Sequence, residues 1–273
     1  MKYIKLNEKE LIDMYLSDSY KMSEICDHFD VSKYKIRKVL LLNNIKSKSS
    51  KKYKYYDDIF EVIDNEEKAY WLGFLYADGY VRKRQYSSEL RLKISEKDKE
   101  HLIKFKKFMS PDNIKIKNET SGNSRCVKVS INSKKIVSDL INLGCTNNKS
   151  KTITMPKIPD NLIDHFIRGY FDGDGWIIID KNKKPAFGII SGSIEMVKSI
   201  NNIISERSKI KINKIYNYKT YYNFTYKSYT DIIKISNFLY KKSNIHLIRK
   251  KNKFDEICIL YDNHKNKNSK KWN

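Results

Sequence analysis

Two short segments that share one pattern constrain the fold of this chain more than any other feature. They are "WLGFLYADG" at residues 71–79 and "IRGYFDGDG" at residues 167–175. Small residues at a spacing of four form a flat strip on a helix, along which two helix backbones can approach closely. We therefore expect two helices that end at their last glycines and pack on each other through small residues, namely Gly73, Ala77, Gly169 and Gly173.

Each of these helices would end in an aspartate. Packing of the two strips would bring Asp78 and Asp174 together at helix C-termini, where the backbone already carries partial negative charge. Two carboxylates at such a place repel each other, and a hard divalent cation with oxygen ligands removes the repulsion. The sequence predicts that Asp78, Asp174 and the backbone at Ala77 and Gly173 hold Mg²⁺, with Mn²⁺ as a substitute. The alternative is that each Asp-Gly pair is only a turn signal, which explains one such segment more easily than two.

The chain repeats after each segment. From residue 59 onward, both halves follow the order helix, two strands, helix, two strands, helix, which predicts an α+β fold built as a pseudo-twofold pair of αββαββα units. In "ELRLKIS", Leu90 and Leu92 alternate with Arg91 and Lys93. This alternation is typical of a strand with one apolar and one basic face, so we expect sheets that are covered by helices on one side and face nucleic acid on the other.

The charge balance favours a polyanionic partner. The chain has 55 Lys and Arg against 32 Asp and Glu, a formal net charge of +23, and cations bind nucleic acid through release of condensed counterions. No apolar run is long enough to span a membrane, and acids near the N-terminus argue against a signal peptide. The four cysteines lack metal-site spacing. We therefore expect an intracellular protein, in cytoplasm or nucleoid or in an organelle or viral context, that is not secreted and has no membrane partner.

Residues 1–45 form a separate domain in this interpretation. The sequence predicts three short helices in it, and a short helix, a tight turn and a helix with basic polar positions resemble the helix-turn-helix of resolvases and invertases. By that resemblance, the last helix enters the major groove. The residues then expected to face DNA are Ser32, Lys33, Tyr34, Lys35, Arg37 and Lys38. A small helical bundle for packing or protein contact is the alternative. Residues 46–58 are expected to be a basic linker, either lying along phosphates or simply solvated.

The two acidic segments, taken with their separation along the chain, resemble the two motifs of a single-chain LAGLIDADG homing endonuclease. The resemblance implies a DNA-binding saddle whose halves are residues 59–160 and 161–262, followed by a basic tail at 263–273. It also implies that the last acid of each motif, Asp78 and Asp174, is catalytic and binds the metal. Tyr76 departs from the family motif, since an acid is usual there, whereas the second segment keeps Asp172.

The family also has one basic residue near the metals in each half, which implies that Lys149 and Lys250 stabilise charge that develops at the phosphate. DNA contacts are further expected from basic residues on the strands, namely Arg82, Arg84, Arg91, Lys93, Lys181 and Lys183. The resemblance implies a monomeric, site-specific endonuclease that hydrolyses both strands of DNA. An intron RNA-splicing maturase, or a DNA-binding regulator without cleavage, remains the alternative, with intron RNA as a second partner.

Overall fold

The structure is a computed structural model that describes residues 6–17, 19–45, 53–84, 87–122, 124–147 and 151–269, with side chains up to residue 263. The chain divides into two compact units, Met1–Lys52 and Tyr53–Asn273. No helix in the described parts is long and apolar enough to cross a membrane.

The first unit contains three helices around a small core of its own. They are α1 (Glu8–Leu16), α2 (Met22–Phe29) and α3 (Lys33–Leu42). Its buried apolar residues come from all three helices: Leu11, Tyr15, Ile25, Ile36, Val39 and Leu40. Between α2 and α3, Asp30 adopts a left-handed conformation with φ of 48° and Ser32 accepts a hydrogen bond from the backbone of Lys35. The predicted helices and the tight turn are therefore present.

The second unit is built from two repeats. The first comprises α4 (Glu66–Asp78), β1 (Gly79–Lys83), β2 (Ser88–Ser95), α5 (Lys99–Met109), β3 (Lys117–Ser121), β4 (Ser124–Ile131) and α6 (Lys134–Asn142). The second comprises α7 (Ile163–Asp174), β5 (Gly175–Ile179), β6 (Pro185–Ser191), α8 (Ile194–Ser208), β7 (Tyr216–Asn217), β8 (Tyr222–Tyr226) and α9 (Tyr229–Tyr240), and α10 (Ile248–Ser269) follows. The αββαββα order predicted for each half is confirmed.

Each repeat forms one antiparallel four-stranded sheet with the same strand order. The orders are β1-β2-β4-β3 and β5-β6-β8-β7. Helices cover one face of each sheet: α5 and α6 pack on the first, and α8, α9 and α10 pack on the second. Side chains on the covered faces are buried, such as Leu90, Leu92, Phe187 and Ile189. They join α4 and α7 in a single hydrophobic core that includes residues of both repeats.

The structure differs from the predicted boundaries at two places. Residues 53–58 do not form a linker, because Tyr53 and Tyr55 pack against the core of the second unit. The tail predicted to begin at residue 263 is instead helical up to Ser269, since α10 continues without a break past that position. Both segments have enough charge to suggest a solvated chain. The apolar residues of the first segment, spaced between the charges, nevertheless contact the core.

Candidate metal and DNA-binding site

Helices α4 and α7 pack against each other at the centre of the second unit, and glycines allow their backbones to meet. A Cβ on Gly73 would overlap the carbonyl oxygen of Phe166, and one on Gly169 would overlap the carbonyl oxygen of Tyr70. A Cβ on Gly173 would overlap Ala77. All four small residues predicted for the helix interface thus lie on the contacting sides of the two helices.

The close approach places the two terminal aspartates near each other. Asp78 is the last residue of α4 and Asp174 the last of α7. Oδ2 of Asp78 lies 3.4 Å from the position that a Cβ on Gly173 would take. Asp78 is exposed and Asp174 is half-buried. The sequence of α4 and α7 therefore presents two carboxylates at one end of the helix pair.

This arrangement fits a hard divalent cation. The chain supplies carboxylate oxygens and helix-terminal carbonyls, which are the ligands that Mg²⁺ prefers, and Mg²⁺ usually keeps several waters or substrate phosphate oxygens as well. Among the described residues, no group of three or more His, Cys, Asp or Glu side chains could hold a metal ion. A metal here would consequently depend on non-protein oxygens for the rest of its ligands.

Tyr170 lies beside the acids and was missed by the sequence analysis. Burial is the main reason that the pKa of its hydroxyl is raised, and the Asp174 carboxylate raises it further, with a smaller effect from Asp78. The hydroxyl therefore stays protonated. It donates to the carbonyl oxygen of Ile190 at 3.5 Å and also lies within hydrogen-bond reach of Asp174. No spacing signal distinguishes Tyr170 from the other aromatic residues of the segment, because its role depends on the direction in which α7 faces α4.

Lys250, on α10, binds the end of α7. Its ammonium donates to the carbonyl oxygens of Phe171 at 2.6 Å, Asp172 at 2.9 Å and Gly175 at 2.5 Å. The side chain is 3% exposed, and burial lowers its pKa to about 8, although the carboxylates of Asp172, Asp78 and Asp174 oppose this shift. An ammonium has three protons, so this geometry uses all of them on the backbone next to Asp174.

Asp172 is the centre of a buried polar network. Its Oδ2 accepts from the Tyr70 hydroxyl at 2.8 Å and from the Leu247 backbone at 2.7 Å, and its Oδ1 accepts from Tyr240 at 3.3 Å. Burial raises the pKa of Asp172, while the charge of Lys250 lowers it. Asp172 thus connects α4, α7, α9 and the segment just before α10, and it is buried in the protein interior.

An ion pair joins the two repeats at the opposite end of the helix pair. The fully buried guanidinium of Arg168 donates to Glu66 at 2.7 Å and also to the carbonyl oxygens of Ile245 and Leu239. Glu66 accepts further bonds from Asn244. Burial alone would raise the pKa of Glu66, but these hydrogen bonds and the Arg168 charge outweigh it and lower the pKa.

The open face of the first sheet is charged. Arg82 and Arg91 lie there with Glu89 between them, at 3.4 Å and 3.0 Å respectively, and Arg91 stacks 4.8 Å from the ring of Tyr80. Lys93 is exposed on the same face, paired across the sheet with Lys128. Glu89 thus contacts both guanidinium groups and limits their motion.

Three predicted DNA-contact residues lie in hairpin turns, not on strands. Arg84 follows β1, and its backbone N–H donates to Ser87. Lys181 and Lys183 lie in the turn between β5 and β6, where Lys183 has a positive φ of 62°. The prediction of strand positions for these residues is wrong, because β1 ends at Lys83 and β5 ends at Ile179, before these basic residues are reached. Lys149 lies outside the described residues.

In the first unit, all six residues predicted to face DNA are exposed. Ser32 caps α3, and the others lie on the solvent side of that helix: Lys33, Tyr34, Lys35, Arg37 and Lys38. Tyr34 is 77% exposed, and Leu41 and Leu42 on the same helix are also largely exposed. The contact of this helix with DNA stays a prediction.

Comparison with known proteins agrees with this fold. Residues 161–252 match the family model described as a LAGLIDADG-like domain. The second unit has the fold of LAGLIDADG homing endonucleases, a conclusion that rests on both the family match and the structural similarities that follow.

The I-SmaMI LAGLIDADG homing endonuclease bound to cleaved DNA is similar with a TM-score of 0.50 and 18% identity, covering 76% of this chain and 92% of that one. The I-GzeII LAGLIDADG homing endonuclease in complex with its DNA target has a TM-score of 0.50 and 14% identity, with coverage of 76% and 92%.

One similar curated protein is much longer. The probable translation initiation factor IF-2 of Methanocaldococcus jannaschii is 30% identical over 175 residues, which cover 60% of this chain. The chain spans 14% of the length of that relative. The similarity therefore concerns one segment of the longer protein.

Proposed function

We propose that this protein is a site-specific DNA endonuclease that hydrolyses one phosphodiester bond in each strand of a duplex. The observation that carries the proposal is the pair of terminal aspartates, Asp78 and Asp174, held together by the glycine contacts of α4 and α7 and flanked by two sheets with open faces. Each repeat supplies one carboxylate, so one chain can act on both DNA strands. This supports a monomeric enzyme.

Asp78 and Asp174, with the carbonyl groups of Ala77 and Gly173, would hold Mg²⁺ or Mn²⁺ in this proposal. Such an ion would supply Lewis-acid polarisation of a phosphoryl oxygen and a more acidic bound water. The protein itself orients the carboxylates: the Tyr170 hydroxyl lies within hydrogen-bond reach of Asp174, and the packed helix ends prevent the two acids from separating. We infer that Lys250 is a positioning residue, since its ammonium is engaged with the carbonyl groups at the end of α7.

The basic residues on the open face of the first sheet, including Arg82, Arg91 and Lys93, would contact DNA, with Arg84, Lys181 and Lys183 touching phosphates from the turns. The exposed residues of α3 would extend the bound site. Substitution of Arg37 and Lys38 by Ala should weaken DNA binding. It should also reduce the slope of log K against log salt concentration by about 0.9 for each phosphate that the variant no longer neutralises. Substitution of Lys9, an exposed lysine on α1, should leave both quantities unchanged if α3 is the contact helix.

The test of cleavage uses a library of randomised duplex sites with Mg²⁺. We expect double-strand cuts at one site by the wild type, and a loss of at least about two orders of magnitude in rate for both Asp78→Asn and Asp174→Asn. Asp262→Asn, which changes an exposed aspartate on α10, should cut like the wild type. Tight, salt-sensitive binding without cutting in Mg²⁺ or Mn²⁺ would refute the endonuclease and direct the next binding assays to intron RNA and regulatory DNA.

A further inference from the structure

The strands of the two sheets differ completely in charge. The strands of the first sheet contain nine charged residues: Arg82, Lys83, Glu89, Arg91, Lys93, Lys117, Glu119, Arg125 and Lys128. The four strands of the second sheet, with the sequences GWIII, PAFGIIS, YN and YNFTY, contain none. The two sheets have the same strand order, but only the strands of the first carry charged side chains.

The register shows which side chains form the open face of the second sheet. Trp176 pairs with Gly188, which pairs with Thr225 on the next strand. A Cβ on Gly188 would lie 2.6 Å from the Trp176 ring, so the indole lies flat over the glycine. Alternation along β5 adds Ile178, which is 51% exposed. The centre of this face is therefore apolar, with a threonine methyl group and hydroxyl at its side.

Asn223 places an amide at the middle of this open face. It pairs with Ile190 on β6 and with Tyr216 on β7. Its Oδ1 is covered in the free protein, and no donor among the described residues reaches it, so contact with a base requires the amide to turn toward the open face. A buried amide oxygen without a hydrogen-bond partner destabilises the folded protein. A ligand that supplies a donor offsets this loss. Asn223 also borders a groove of about 450 Å³ that runs along β7 and β8.

Base edges in the major groove select among these groups. Adenine presents an acceptor and a donor side by side, which one amide matches with two hydrogen bonds, and thymine presents a methyl group that favours apolar contact. Guanine presents two acceptors that favour Arg or Lys, and the amino group of cytosine favours a carboxylate. The strands of the second sheet carry amides, a threonine and apolar groups, and none of the charged residues that guanine or cytosine prefers.

Lysines surround this uncharged face. Lys181, Lys183 and Lys184 lie in the turn at one end of β5 and β6, and Lys214 and Lys227 line the groove beside Asn223. An uncharged centre with a basic edge suits a DNA groove whose base edges lie between two phosphate backbones. The acid of this turn, Asp180, accepts hydrogen bonds from the backbone of Asn182 and Lys184, so most of the charge at this edge is positive.

We propose that the second sheet reads an A·T-rich half-site, with Asn223 contacting an adenine and Ile178 and Thr225 contacting thymine methyl groups, while the first sheet reads the other half with its arginines. The proposal rests on the DNA-binding function proposed above. It makes the recognised site asymmetric in composition, with the A·T-rich half on the side of the sheet that follows Asp174.

The test is selection of bound duplexes from a randomised library without divalent cations, followed by measurement of Kd for every single-base change in the selected site. We expect Asn223→Ala to reduce discrimination at one adenine on the order of ten- to a hundredfold, without changing the salt dependence of Kd. Asn223→Asp, which has the same shape, should shift the preference at that position from A·T to C·G. Arg91→Ala should change preferences only in the opposite half.

Asn202→Ala is the matched control, because this exposed asparagine lies on α8, on the covered side of the second sheet. It should leave every preference unchanged. If a specific site is selected but its preferences do not respond to Asn223 variants, or respond in a G·C-rich half, the inference fails and the DNA-binding function stands. If no sequence is enriched at all, the proposed function fails together with it. Thermal unfolding of each variant shows that changed preferences do not reflect unfolding.

Discussion

The buried imidazole of His101 makes the second unit sensitive to acid. His101 is 4% exposed on α5, with its ring 4.8 Å from that of Trp71 and its Nε2 2.8 Å from the hydroxyl of Tyr70. The single hydroxyl proton of Tyr70 is donated to Asp172, so Nε2 of His101 carries a proton and Nδ1 does not. Burial is the main cause that lowers its pKa from 6.5 to about 3, and the neighbouring Lys104, His246 and Arg249 lower it further.

The sign and size of the effect follow from proton linkage. The unfolded chain binds a proton at His101 near its ordinary pKa of 6.5, whereas the folded protein does not bind one until about 3. Keeping His101 neutral therefore has no cost in stability above pH 6.5. As the pH falls through 6.5 toward 3, the free energy of unfolding decreases. Between about pH 7.5 and about pH 5 the loss is about 2 kcal/mol in the free energy of unfolding. At pH 5 this figure depends almost entirely on the unfolded pKa, because the folded value lies well below.

The assay is urea unfolding at these two pH values, followed by tryptophan fluorescence. None of the three tryptophans lies within residues 1–52, so the fluorescence signal does not report unfolding of the first unit. The free energy of unfolding of the wild type should fall by about 2 kcal/mol more than that of His101→Gln. His28→Gln, which alters an exposed imidazole in the first unit, should behave as the wild type. Equal pH dependence of wild type and His101→Gln, or titration of His101 near 6.5 by NMR, would refute the reasoning.

Three further predictions concern the helix pair. Gly169→Ala should lower the free energy of unfolding by about 3 kcal/mol or more, because its Cβ overlaps the Tyr70 carbonyl oxygen and forces α4 and α7 apart; urea unfolding measures this. Arg168→Met should cost about 3–5 kcal/mol by the same assay, since it leaves Glu66 and two carbonyl groups without their buried donor. Lys250→Met should reduce the cleavage rate in Mg²⁺ by roughly tenfold or more, because it removes three hydrogen bonds that position the end of α7. Its Kd for DNA should stay within about twofold of the wild type, because the substitution does not remove a DNA-binding group.

Each of these predictions has a control on the same molecule. Ser199→Ala changes a half-exposed position on α8 away from the helix pair, and it should change the free energy of unfolding by less than about 0.5 kcal/mol. For Lys250, the neighbouring Lys251 pairs with Asp255 at the surface, so Lys251→Met should cut DNA normally. A Lys250→Met protein in which DNA affinity and cleavage both fall would indicate direct contact with DNA and contradict the positioning role.

The alternation and spacing of residues were sufficient to predict the elements of the second unit. "ELRLKIS" forms β2 with the predicted faces, and the two segments with small residues at a spacing of four form α4 and α7, which end at their aspartates. These features are local: a period of two or of 3.6 is already present in the order of residues. The repeat of the whole pattern then predicted two similar halves, which the matching strand orders confirm.

Other features depended on tertiary structure, because they join residues far apart in sequence. Asp172 and Asp174 are both acids in one glycine-rich segment, yet the rotation of α7 buries the first among hydroxyl and backbone donors and leaves the second half-exposed beside Asp78. Lys250 looks like one lysine among many in the sequence, and only the packing of α10 against the end of α7 gives it three carbonyl partners.

The sequence by itself determined the two helices, their small-residue strips and the repeated αββαββα order, because local periodicity encodes each of them. Only the tertiary structure decided which face of the second sheet is open and that this face lacks charge, since the basic residues of that half lie in turns and on helices, outside the four strands. Strand register sets the partners of Asn223 across three strands, and register follows from the packing of the whole sheet against its helices.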